Sequence, residues 1–191
     1  YNKAIIQIDS IPKYGYTIAR AFERRSLLDK AIESYERTMA IDSTMDYSYQ
    51  TARLYGEQGN LDLMFERYLD LMERNDQLVP KIQATFTQYI TDDAASASNQ
   101  ALRKTLLMRL RRKPKLLYNQ ILSWLFVQQK DFNAAFIQEK AIYKRTMENM
   151  YNLQELAQTA HEEKDDPAAQ NILEYIVENS QVARTRYFAQ V

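Results

Sequence analysis

Cysteine is missing altogether from this 191-residue chain, and glycine (three) and proline (four) are scarce. Without cysteine there is no disulfide framework, no thiolate metal site and no cysteine nucleophile. So few turn formers exclude an all-β fold, which needs turn residues every 8–12 positions or so. The lone histidine, His161, rules out a two-histidine zinc site within the chain. No glycine-rich phosphate loop and no G-x-S-x-G elbow occur. The longest apolar run, "ILSWLFV" (Ile121–Val127), is short and has a serine within it. A bilayer span takes about 18–20 apolar positions. Charge of a single sign is lacking too, since 25 basic and 25 acidic side chains cancel.

What remains is rich in Tyr, Leu, Ala, Gln, Glu, Arg and Lys. Most of these are good helix formers, so the composition is that of an all-α protein. An internal repeat organises it. In one copy, Ala19 is followed by Phe22, Ala31, Tyr35 and Thr38; in the next, Ala52 is followed by Tyr55, Met64, Tyr68 and Leu71 at the same offsets. Ser123, Phe126, Ala135, Glu139 and Ile142 fit the same template, as do Ala157, Ala160, Ala169, Leu173 and Ile176. The interval from Ala52 to Ser123 is about twice that from Ala19 to Ala52. It leaves room for one degenerate unit, with Thr87, Ile90, Asn99, Arg103 and Leu106 in the template positions.

Each unit reads as a helical hairpin. Apolar residues recur at three- and four-residue spacing, as in Ile18, Phe22, Leu28, Ile32, Tyr35 and Met39. A small residue on the first helix allows close approach of the second. "GNLD" (Gly59–Asp62) reads as a turn, Asp131 precedes a helix, and "DDP" sets Asp166 as N-cap with Pro167 as first helical residue.

This pattern resembles the tetratricopeptide repeat (TPR) family, built of 34-residue helix–turn–helix units. The resemblance is carried by "IARAF…AIESYERTMAID", "TARLY…GNLDLMFERYLDL", "ILSWLF…KDFNAAFIQEKAI" and "LQELAQTA…DDPAAQNILEYIV". The family's early tryptophan is absent, and Met64 replaces an alanine. The resemblance implies an all-α, right-handed superhelical solenoid. Repeats are expected over 12–43, 44–76, 78–114 (degenerate), 115–148 and 149–180, with 1–10 as the second helix of a preceding repeat and 182–191 as the first helix of a following one. On that reading the chain is a slice of a longer solenoid.

The same resemblance implies a concave groove lined by the first helices. Placed on it, Lys13, Tyr16, Arg20, Tyr49, Gln50, Arg53, Gln88, Gln120, Trp124, Gln154, Gln158 and His161 turn inward. This Tyr-, Gln- and Arg-rich set suits hydrogen bonding to a peptide backbone with stacking on its side chains. Tyr49 and Arg53, one turn apart, are the leading pair; Trp124 could anchor a ligand or lie buried. Family members that clamp chaperone C-termini resemble one another in a Lys–Asn–Asn–Lys–Arg set. Tyr16, Arg20 and Gln50 depart from it, so that cargo is not expected.

"LRKTLLMRLRRKPK" (Leu102–Lys115) crowds its cations together with no acid among them, and they include Arg109, Arg111, Arg112, Lys113 and Lys115. Leu102, Leu106 and Leu110 give it an apolar stripe. Cations at a helix end also complement the helix dipole. Three functions stay open. The first is a non-catalytic protein- or peptide-binding scaffold using the groove, with no cofactor. The others are polyanion or nucleic-acid binding through 103–115, and a structural spacer that associates head to tail. His161 reads as a surface or packing residue rather than a ligand. The compartment stays open between cytoplasm and export. The Tyr and Gln content without cysteine leans toward an exported bacterial protein.

Overall fold

The structure, a computed structural model, describes residues 1–180; the helix expected over 182–191 lies outside them. The described residues are helical with no strands. The α-helices are α1 (Asn2–Ser10), α2 (Gly15–Glu23), α3 (Leu28–Ile41), α4 (Ser48–Glu57), α5 (Leu61–Arg74), α6 (Val79–Phe86), α7 (Ala97–Arg112), α8 (Leu116–Gln128), α9 (Phe132–Thr146), α10 (Tyr151–Glu162) and α11 (Asp166–Asn179). They pack as neighbouring pairs: α2 on α3, α4 on α5, α8 on α9 and α10 on α11. The chain forms two compact units, Tyr1–Thr85 and a second starting at Phe86.

The four hairpins share one turn. Ser26, Gly59, Lys130 and Lys164 all adopt left-handed backbone, with φ of 56°, 77°, 56° and 66°. These positions keep the register of the sequence repeat. The step from Ser26 to Gly59 matches that from Ala19 to Ala52, Gly59 to Lys130 matches Ala52 to Ser123, and Lys130 to Lys164 matches Ser123 to Ala157. At each, the next residue's N–H closes back on the last turn of the first helix: Leu27 on the Phe22 carbonyl, Asn60 on Tyr55, Asp131 on Phe126 and Asp165 on Ala160, at 2.8–3.0 Å. This is the Schellman ending, which satisfies carbonyls that a helix terminus leaves unpaired. In three of the hairpins the residue after it then caps the second helix. Asn60, Asp131 and Asp165 accept from the N–H groups of Leu63, Ala134 and Ala168. The expected cap at "DDP" therefore moves back one residue, from Asp166 to Asp165, because the shared turn fixes where the helix begins.

The template positions supply the core of each unit. In the first, Ala19, Ala31, Tyr35, Thr38, Ala52 and Met64 are fully buried, and Phe22, Tyr68 and Leu71 nearly so. In the second, Ala135, Ala160 and Ile176 are fully buried, with Ser123, Phe126, Ala157 and Ala169 close behind. Burying one large apolar side chain contributes about 1.5–3 kcal/mol. The close approach is tightest at Gly15, where an added Cβ would sit 1.7 Å from the Thr38 Oγ1.

The degenerate repeat departs from the template. Asn99 and Leu106 are fully buried, but Thr87 and Arg103 are exposed. α6 ends at Phe86, so Gln88 lies in the following turn and not on a first helix. The buried Asn99 amide holds the loop instead, donating to the carbonyls of Thr91 (2.7 Å) and Asp93 (2.8 Å) and accepting from the Thr91 N–H. An amide sits where the other units place alanine or methionine, and it satisfies backbone that a continuing helix would have satisfied itself.

Candidate functional site

On the first unit, the expected groove residues form a tyrosine and ion-pair surface. Tyr16 is 45% exposed on α2. Its ring stacks on Tyr47 at 5.8 Å and leans on the buried Tyr35 at 6.2 Å, while Tyr35 and Tyr47 meet at 5.0 Å. Lys13 lies exposed in the short 3-10 turn before α2, with its Nζ 5.8 Å from the Tyr14 ring.

Beneath the tyrosines sits Glu23, whose side chain is only 8% exposed. It accepts from Tyr35 Oη (2.8 Å), Arg20 (2.6 Å) and Arg53 (2.6 Å). Burial works to raise its carboxyl pKa. The hydrogen bonds from Tyr35 and Arg53 and the charges of Arg53 and Arg20 outweigh that and hold it below the ordinary range. Burial and the same carboxylate push the Tyr35 phenol well above its usual value.

The leading pair, Tyr49 and Arg53, is thus largely committed within the unit. Arg53 bridges Glu23 and Glu57, so its fork is not free for a ligand. Tyr49 Oη lies 3.3 Å from Thr85 Oγ1; its ring takes Lys81 Nζ at 4.2 Å and meets Tyr68 edge-on at 5.4 Å. Gln50 Oε1 is buried without a hydrogen-bond partner. Lys13, Tyr16 and Arg20 stay exposed, Arg20 with 47% of its side chain accessible while bonded to Glu23.

On the second unit, Gln120 is exposed on α8 and Trp124 is half-buried, its ring 6.3 Å from Phe86. Gln158 is exposed and donates to Glu162 at 2.9 Å, and Gln154 is half-buried. His161 Nδ1 lies 2.6 Å from Asp166 Oδ1, tying the end of α10 to the start of α11. Among the described residues no group of three or more His, Cys, Asp or Glu could hold a metal ion.

The basic stretch forms the end of α7. Arg111, Arg112 and Lys113 are exposed and pair with no carboxylate among the described residues, whereas Arg109 and Lys115 are half-buried. Arg103 lies over the Phe126 ring at 5.4 Å, so α8 supplies an aromatic that the basic segment itself lacks. No described helix is long and apolar enough to cross a membrane.

Two residues that sequence reasoning passed over carry much of the local chemistry. Glu23 gave no signal, because its partners Tyr35 and Arg53 lie 12 and 30 residues away. Glu139 did give one, since it occupies the position that holds Tyr35 and Tyr68 in the first unit. It is 9% exposed. Burial raises its carboxyl pKa against hydrogen bonds from Ser123 and Asn152 that lower it. No family model and no curated protein matches the sequence.

Proposed function

We propose that the hairpins are tetratricopeptide-type repeats stacked as a right-handed solenoid, and that the chain is a non-catalytic scaffold binding a protein or peptide along its first helices. The observation that carries this reading is the exposed Tyr16–Arg20 face of α2, supported by Tyr47, Tyr35 and Glu23. Tyrosine and arginine are the side chains that most often anchor interfaces. Here their geometry is fixed in advance by the stack and the ion pair, which lowers the ordering cost of binding. Arg20 rather than Arg53 is the arginine of this surface, because Arg53 is held between two carboxylates while Arg20 bonds one and keeps 47% of its side chain exposed.

A second reading is favoured by Arg111, Arg112 and Lys113, which are exposed and pair with no carboxylate among the described residues. It makes the end of α7 a polyanion site whose affinity falls steeply with salt.

Affinity capture from nuclease-treated extract, read by mass spectrometry, tests both with three baits: the chain, Tyr16→Ala/Arg20→Ala, and Arg111→Ala/Arg112→Ala. A partner that binds the chain and the second variant but not the first supports the scaffold reading. Loss only with Arg111→Ala/Arg112→Ala transfers it to α7. Equal recovery on all three baits sinks both surfaces.

A further inference from the structure

One template position of the second helix holds Tyr35 and Tyr68 in the first unit, and Arg103, Glu139 and Leu173 in the second. Both rings are buried, and so is Glu139. A buried carboxylate there departs from the buried rings of the first unit in two ways. It fills less space than a phenol ring, and it buries a charge that an apolar interior disfavours. Where a sequence violates its own local pattern, function is the common reason.

Glu139 borders a cleft of about 240 Å³ between the end of α9 and the start of α10, whose walls include Tyr143, Thr146, Glu148, Asn152 and the apolar Ile142. Pockets for drug-sized ligands run roughly 300–1,000 Å³, so this one suits a single side chain. Its chemistry is that of an acceptor site. Glu139 is held in place by Ser123 and Asn152. Those two donors leave carboxylate lone pairs unused, since an ionised carboxylate has about four acceptor positions. Glu148 adds an exposed second carboxylate at the rim. The last turn of α9 contributes Tyr143 and Thr146, while the first turn of α10 stands on the opposite side, so the two helix ends offset one another and the carboxylates set the sign of the site.

The nearby cations do not neutralise it. Lys140 lies over the Phe136 ring at 4.0 Å, and Arg145 reaches Asn119 Oδ1 and the Pro114 carbonyl. No charged group contributes to the upward pull on the Glu139 carboxyl, which burial alone produces. One buried carboxylate beside a phenol ring, in a slot of this size, fits an organic cation with its stem laid along Tyr143.

We propose that this cleft recognises an organic cation, a guanidinium or primary ammonium on an alkyl stem, with Glu139 as its buried counter-charge. None of the residues named for the proposed groove lines this cleft, although α10 contributes to both, so failure of the Tyr16 and Arg20 surface leaves it standing.

The test is a 15N NMR titration of the whole chain with three probes: a blocked Gly-Arg-Gly peptide, its citrulline counterpart and putrescine. Arginine peptide or putrescine shifts the amides of residues 139–153, and the neutral citrulline peptide does not. A response to the peptide alone assigns the source to a partner's side chain, and a response to putrescine alone to a free amine; either supports the site. Glu139→Gln weakens that binding about tenfold or more, as expected for removing a buried counter-charge. Glu148→Arg alters only the exposed rim and also weakens it, which keeps the test open if Glu139→Gln folds poorly. Equal shifts with citrulline, no shifts at these amides with either cation, or undiminished affinity in both variants overturns the proposal.

Discussion

Both units bury a carboxylate against the same kind of helical hairpin, and they treat it in opposite ways. Glu23 is surrounded by donors of full or partial positive charge, and its pKa falls. Glu139 has two neutral donors and no cation, and its pKa rises. A charge taken out of water is stabilising only when partners replace what the water supplied. The first unit therefore holds a completed ionic network, and the second an incomplete one beside a cleft. Completion rigidifies a surface; incompleteness leaves room for a ligand.

The contrast can be broken most forcefully at Glu23. Glu23→Gln should cost about 2 kcal/mol at neutral pH, less than the roughly 3–5 of a fully buried pair because Arg53 remains partly exposed. A carboxyl whose folded pKa is depressed lends stability above its unfolded pKa and loses it as pH falls through the folded value. Urea denaturation across a pH series should therefore show the gap between wild type and variant closing in acid. A gap of constant size would mean that Glu23 acts by packing alone.

Tyr35→Phe comes next, at about 1.5 kcal/mol for one hydrogen bond to a charged acceptor. The same substitution should raise the Glu23 pKa, visible as a carboxyl shift in an NMR titration. An unmoved titration would remove Tyr35 from the network.

The smallest effect has the opposite sign. Glu139 holds its proton to higher pH in the folded than in the unfolded chain. Its contribution is complete below the unfolded pKa and is lost as pH rises through the folded one. Glu139→Gln, which can still accept from Ser123 and Asn152, should stabilise the protein by about 1 kcal/mol or less at neutral pH in amine-free buffer, on the scale of one net hydrogen bond. That gain should vanish in acid. A variant less stable than wild type at neutral pH would show that the buried charge has a partner within the chain.

Much of the local architecture was legible beforehand. The register that linked Ala19, Ala52, Ser123 and Ala157 places a buried small residue on the first helix of four hairpins. The turn at Gly59–Asp62 and the helix after Asp131 were both legible, although only the structure shows Asn60 and Asp131 as their N-caps. The shared left-handed turn was legible only at Gly59. Ser26, Lys130 and Lys164 adopt the same backbone without being glycine, held there by the bonds that close the Schellman ending. The degenerate unit misled because register alone put Thr87 and Arg103 in core positions that the early end of α6 and the Asn99 loop do not provide.

The candidate surface was less legible. The resemblance put Tyr16, Arg20, Tyr49 and Arg53 together, but not the acid that decides which of them is free. Glu139 stood in plain view at a position that is aromatic in the first unit, yet a carboxylate on a helix is ordinary until its depth and the space beside it are known.

By itself, then, the sequence determined the helical class and the pairing period, since these depend on residues within a few turns of one another. Only the tertiary structure decided that Arg53 is occupied, that Tyr16 and Arg20 remain accessible, and that Glu139 borders a cleft. Those outcomes depend on burial and on partners 12 to 30 residues apart, and the free energy of a charge is set by what surrounds it in space.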